Sequence, residues 1–227
     1  MGLVRRRTAL KLPLMMAAGA ALTRVPVASA DPLLNDRAAR LIGEIVIVDQ
    51  AIDGGRGRVK VGDGQMSVVP PRNYNRHRRM LFSDVRDVED WTLNGPILDG
   101  ISFISGMKNN SELIRQRRTA DQQVPRFLSN MTPPEIAAML ESLYRIKGGA
   151  VQLNTVSLQP RPFLGTNGFQ WDYEHLDSDE LWRRGRAVGA VIDGKLYLIL
   201  MDAARSHYYD ATLPDFEAMV ASAQRLG

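Results

Sequence analysis

One dipeptide restricts this chain more than any other feature. Asp193-Gly194 stands between two apolar, β-rich runs, residues 187–192 and 196–201. A two-residue link of this kind places both residues at positive φ, which Asp and Gly tolerate, and it joins antiparallel neighbours without splaying them. The same grammar recurs upstream. Residues 58–61 and 65–69 flank Gly62-Asp63-Gly64, and residues 91–93 and 101–104 flank Asn94-Gly95-Pro96, with a bulge expected at Leu98-Asp99-Gly100. Residues 151–158 and 169–173 add two more alternating runs. Links this short exclude a parallel sheet, whose crossovers need a dozen residues or more.

Two helices interrupt the strands. Thr132 is placed as N-cap, Pro133 occupies the first helical position, and Glu135, three residues after the cap, completes a capping box. Ile136, Met139, Leu140, Leu143 and Tyr144 then recur at helical spacing until Gly148-Gly149. A second helix is predicted over 213–226, with Phe216, Met219, Val220 and Ala223 on one face. The class is therefore α+β: a twisted antiparallel sheet with a central and a C-terminal helix packed on it, a sandwich.

The N-terminus carries a different message. Arg5, Arg6, Arg7 and Lys11 precede an uncharged apolar run over residues 12–22, and Ala28-Ser29-Ala30 offers the small-x-small pattern of a signal-peptidase site. A bilayer core needs roughly 20 apolar residues, and this run is shorter, contains Pro13 and stops at Thr23-Arg24. The expectation is a cleavable leader over 1–30, cut after Ala30, then a lead-in and strand over 31–57. A single domain follows over 58–227, working in the periplasm without a stable membrane anchor. Arg6, Arg7, Leu10 and Lys11 resemble the twin-arginine export motif, with Ala9 standing where that motif prefers a bulky apolar residue. The ordinary Sec route remains the alternative.

Removing the leader changes the charge argument. The whole chain has 29 Lys and Arg against 25 Asp and Glu. Five of the basic residues and none of the acidic ones fall in the first 30 positions, leaving 24 against 25. A near-neutral domain has no global attraction for phosphate backbones, so nucleic acid is not an expected partner. Basic clusters at Arg72 to Arg79, Arg115 to Arg118 and Arg183 to Arg186 are each flanked by acids and read as solvated faces. Cysteine is absent, which excludes disulfides and a lipid-bearing cysteine.

Chemistry-bearing motifs are sparse. No Gly-x-Ser-x-Gly elbow occurs, and His77, His175 and His207 contain no i, i+4 pair. No metal or cofactor is expected. The acidic stretch 171–180 reads as a solvated hairpin end. Residues 205–210 (Arg-Ser-His-Tyr-Tyr-Asp) gather varied polar groups where a strand hands over to a helix. The expected ligand site lies between the sheet and the closing helix, near Trp171, Tyr173, His207 and Tyr208. The alternative is an envelope hydrolase using His207 with Asp202 or Asp210.

Two stretches carry a resemblance. Gly64-Gln65-Met66-Ser67-Val68-Val69-Pro70-Pro71, and Asp193-Gly194-Lys195-Leu196-Tyr197-Leu198 with its closing helix, resemble the first hairpin and the last hairpin and helix of the superfamily of the photosystem subunit PsbP. More narrowly, the mature chain looks like a group of exported alphaproteobacterial proteins. The resemblance implies a PsbP-like fold and an accessory or binding role, its ligand or envelope-protein partner undefined, and carries over no catalytic residue. Residues 57–64 also look like part of the small barrel of NfeD-type proteins, although Pro70-Pro71 interrupts the strands that barrel needs.

Overall fold

A computed structural model describes residues 48–52, 54, 57–77, 88–95, 97–116 and 122–226. The leader and its expected cleavage site (Arg6, Arg7, Leu10, Lys11, Ala28 and Ala30) lie outside these residues, as does most of the 31–57 lead-in.

In chain order the strands are β1 (Val48–Ile52), β2 (Val59–Val61), β3 (Met66–Val68), β4 (Tyr74–His77), β5 (Val88–Thr92) and β6 (Asp99–Met107). Helix α1 (Pro133–Ile146) follows, then β7 (Ala150–Pro160), β8 (Phe169–Asp177), β9 (Trp182–Ile192) and β10 (Lys195–Ala204). Helix α2 (Tyr208–Ser222) and β11 (Gln224–Arg225) complete the order. Eight strands form one antiparallel sheet in the order β1-β4-β5-β6-β10-β9-β8-β7. The Asp-Gly link is the β9–β10 turn, with φ of 51° at Asp193 and 73° at Gly194.

Alternation along β10 sorts the core into two layers. Leu196, Leu198 and Leu200 pack with Ile136, Met139 and Leu140 of α1. Tyr197, Ile199 and Met201 pack with Tyr209, Phe216 and Met219 of α2. One helix thus covers each face of the sheet. At the start of α1 the Thr132 amide donates to the Glu135 carboxylate at 2.6 Å. That bond and a second from the Thr132 hydroxyl hold the Glu135 pKa below its usual range.

Three expectations change. The hairpin of residues 58–69 forms, with Val59 opposite Val68, but outside the main sheet. There β11 pairs with β3 to give a three-stranded sheet, β11-β3-β2, and not a barrel. Helix α2 begins five residues earlier than predicted and runs through Pro214, because the buried side chains of Tyr209 and Phe216 outweigh the hydrogen bond that proline removes. It also stops early, since residues 224–225 are drawn into β11. Finally, β8 and β9 run longer than predicted and converge at residues 177–182.

Strand β7 lies at the rim of the sheet. None of its eleven residues is charged, and Val151 and Val156 are 60% and 51% exposed. Both valines sit where its register with β8 shifts, at two bulges. No helix among the described residues is long and apolar enough to cross a membrane.

Candidate functional site

On the α1 face, the two-residue period of β8 carries past Phe169, Trp171 and Tyr173 to His175. Trp171 and Tyr173 are fully buried, their rings stacked 4.2 Å apart, and the Trp171 indole donates to Thr155 Oγ1 at 3.0 Å. His175 is 2% exposed. Its Nε2 lies 2.8 Å from Asp202 Oδ2 and its Nδ1 lies 2.7 Å from Asp177 Oδ1. An imidazole facing a carboxylate on both sides is satisfied when both nitrogens carry protons, that is, as imidazolium.

Arg183 closes the cluster from β9. Its Nε bonds Asp202 Oδ1, and one terminal nitrogen reaches the Ile97 carbonyl. Asp202 also accepts the Tyr173 hydroxyl at 3.1 Å, and Tyr173 lies 2.6 Å from the hydroxyl of Tyr144, supplied by α1. The two hydroxyls thus carry the carboxylate's network from β8 onto α1. Gly185 makes this packing feasible, because a Cβ there would run into the Tyr173 ring.

The electrostatics are those of a closed, mutually neutralising group. Burial opposes the charged imidazole of His175, but its hydrogen bond to Asp202 and the charges of Asp202 and Asp177 outweigh that and raise its pKa. Burial likewise opposes the Asp202 carboxylate, which His175 and Arg183 hold below its ordinary range. Burial raises the Asp177 carboxyl against the pull of His175 and Arg183. Burial also keeps the hydroxyls of Tyr144 and Tyr173 protonated, their pKa values raised well above normal.

Two recesses meet at this cluster. The apolar one, about 240 Å³, opens between α1 and strands β5, β6 and β10, against Val88, Ile104, Leu140, Leu143, Leu198 and Leu200. The polar one, about 310 Å³, is walled by Thr92, Asp99, Arg183 and Asp202. Asp90, Ser102 and Tyr144 line both. Ser102 donates to Asp90 Oδ1 at 2.5 Å. Asp99 accepts the Thr92 hydroxyl at 2.7 Å and the Leu93 amide at 2.8 Å.

The four residues expected at the ligand site fall into two pairs on different faces of the sheet. Trp171 and Tyr173 are core residues of the α1 face, and Tyr208 packs on the α2 face. His207 is the exposed N-cap of α2, its ring edge-on to that of Tyr208 at 5.2 Å. Asp202 points to the opposite face of the sheet, into the His175 cluster, so the His207–Asp202 pairing that a hydrolase needs is not assembled. Asp210 is exposed in the first turn of α2, with no hydrogen bond or ion pair to His207.

Sequence reasoning missed Tyr144, His175 and Arg183 as site residues. The reading of 171–180 as a solvated end gives way, since residues up to Asp177 are strand and His175 is buried. The basic cluster on β9 is no solvated face either. Arg183 is 7% exposed, and Arg186 pairs with Asp172 at 2.6 Å and Glu217 at 2.7 Å. Extending the alternation of 169, 171 and 173 by one step would have placed His175 on the buried face.

An eight-stranded antiparallel sheet with a helix on each face, closed by a C-terminal hairpin and helix, defines a PsbP-like α+β fold. The chain is similar to the solution structure of cyanobacterial PsbP (CyanoP) from Synechocystis sp. PCC 6803. The match has a TM-score of 0.51 and 16% identity, over 77% of this chain and 98% of that one. A weaker likeness, with a TM-score of 0.44 and 10% identity, links it to the Ran-binding protein Mog1p of Saccharomyces cerevisiae, over 74% of this chain and 94% of that one. No family model and no curated protein matches the sequence. The likeness to PsbP is one of fold.

Proposed function

We propose that this chain is an exported, non-enzymatic binding protein of the bacterial envelope, and that the recess between α1 and the sheet is its ligand site. The observation that carries this reading is an apolar hollow of about 240 Å³ held open beside a closed polar cluster. Apolar recesses with a few convergent polar groups are the usual form of small-molecule sites. The neighbouring ionisable groups favour binding over catalysis. His175 has both ring nitrogens engaged by carboxylates, and Asp202 has both oxygens engaged by donors. Neither stands ready to take a proton from a substrate.

The test is a solvatochromic titration. Nile red added to the protein is expected to shift its emission to the blue, and Leu143→Trp, which fills the recess, is expected to abolish the shift. Equal dye binding by both proteins would remove the recess from consideration. Mass spectrometry of small molecules retained on protein purified from an envelope extract would then name the natural occupant.

A further inference from the structure

The last turn of α1 forms one wall of the apolar recess, through Leu143, Tyr144, Lys147 and Gly148. The His175 cluster holds that turn at two points. The Tyr144 ring lies 4.8 Å from the imidazole, centroid to centroid, and its hydroxyl is 2.6 Å from that of Tyr173. Just past the end of the helix, the Gly149 carbonyl accepts the Ser178 amide at 3.1 Å. Ser178 follows Asp177, which bonds the His175 Nδ1.

Charges balance around this imidazole as long as it is protonated. Asp177 faces it from its own strand and Asp202 from β10. Arg183, its register partner on β9, bonds Asp202 and stands 3.8 Å from Asp177. Arg145 of α1 is turned to Glu141 and the Leu153 carbonyl, and Lys147 lines the recess. Strand β7, whose Leu153 lies opposite His175, carries no charge. Two cations therefore meet two carboxylates. Loss of the imidazole proton leaves one carboxylate uncompensated in a buried group and turns a nitrogen lone pair toward an acceptor. Asp202 stays fixed by Arg183 and Tyr173. The unfavourable contact falls on Asp177, whose side chain is 18% exposed and can turn to water. That movement pulls on Ser178, and through it on the Gly149 link.

We propose that His175 is a proton-operated latch. As imidazolium it holds the last turn of α1 against the sheet; as neutral imidazole it releases that turn, and with it one wall of the recess. The release falls above the ordinary imidazole range, because burial is outweighed by Asp202 and Asp177, which raise the pKa of this ring. On the reading that the recess is the ligand site, an apolar occupant is retained below this transition and let go above it.

The experiment follows hydrogen exchange of the full-length chain by NMR, through the pH range over which the His175 ring resonances titrate. Protection factors of the Tyr144 to Gly148 amides are expected to fall about ten-fold across that titration, the scale of one charge-assisted hydrogen bond, while those of Ile136 to Leu140 stay constant. His175→Gln is expected to show the low protection at every pH. Asp177→Asn is expected to show the high protection at every pH, since its amide donates to the neutral ring. Circular dichroism melts show that each variant is folded. Constant protection while His175 titrates, a ring that does not titrate below about pH 10, or a fall shared by Asp177→Asn overturns the latch. Nile red, followed over the same range, tests the occupant separately. Emission that stays blue-shifted after the turn has loosened overturns release from the recess. Absence of dye binding at any pH removes the ligand reading, and the exchange result then judges the latch alone.

Discussion

The His175 imidazole and the Asp202 carboxylate meet at 2.8 Å across two strands that are not neighbours, with β9 running between them. Arg183, on that middle strand, bonds the other oxygen of the same carboxylate. A single acid thus ties three adjacent strands together on the face that α1 covers. The carboxylate, 8% exposed, depends on these partners to remain charged.

Removing that acid leaves two buried cations facing each other. Breaking a buried ion pair by deleting one partner costs about 3–5 kcal/mol, so Asp202→Asn is expected to lose stability on that scale in urea unfolding. The His175 resonance should move with it, titrating at lower pH by NMR. A loss below about 1 kcal/mol, the scale of an exposed pair, would show that the cluster is solvated.

The His175 contribution should depend on pH in a stated direction. Its folded pKa is raised above the unfolded value of about 6.5, despite burial, by Asp202 and Asp177. Stability from this pairing is therefore complete below about pH 6.5 and fades as pH rises through the raised value. The Asp202 contribution runs the other way: it is present above about pH 4 and is lost as pH falls through its depressed value. The stability gap between wild type and His175→Gln is expected to be widest between about pH 5 and 6.5 and to narrow toward alkaline pH. Urea midpoints across the range measure it, and a constant gap would contradict the imidazolium assignment.

Gly185 offers a steric test. A methyl group there meets the Tyr173 ring, and overpacking a closed core costs about 1–3 kcal/mol. Gly185→Ala should show that loss, and Tyr173→Leu in the same chain should recover part of it, giving a non-additive double-mutant cycle. Additive costs would mean that the glycine serves some purpose other than room for the ring.

Export can be read separately. Replacing Arg6 and Arg7 by Lys is expected to leave the precursor in the cytosol, seen by immunoblot of cell fractions, while a chain using the Sec route would cross unhindered. N-terminal sequencing of the exported form should begin at Asp31.

Much of the architecture was legible because local chemistry dictates it. Asp193-Gly194 adopts the positive φ its residue types permit, and Thr132-Pro133-Pro134-Glu135 supplies the cap, the first-turn proline and the capping box that start α1. The site was legible only in fragments. His175 looked solvated because Glu174, Asp177 and Asp179 surround it in sequence, and what buries it comes from Arg183, Asp202 and Tyr144, which lie 8, 27 and 31 positions away. Pairing across strands decides such a residue's fate, and no window of neighbouring residues contains it. The same holds for β11, whose two residues have no strand signal of their own and exist as strand only because β3 presents an open ladder.

Strand β7 has a practical consequence for anyone handling the protein. Its outer row of amides and carbonyls lacks a neighbouring strand among the described residues, and without charge it has no electrostatic guard against a second molecule adding on. The bulges at Val151 and Val156, with Pro160 at its end, keep this rim crooked. Deleting Val156 would remove the more central of the two bulges, and concentrated solutions of such a protein are where ordered, thioflavin-positive aggregates should first form.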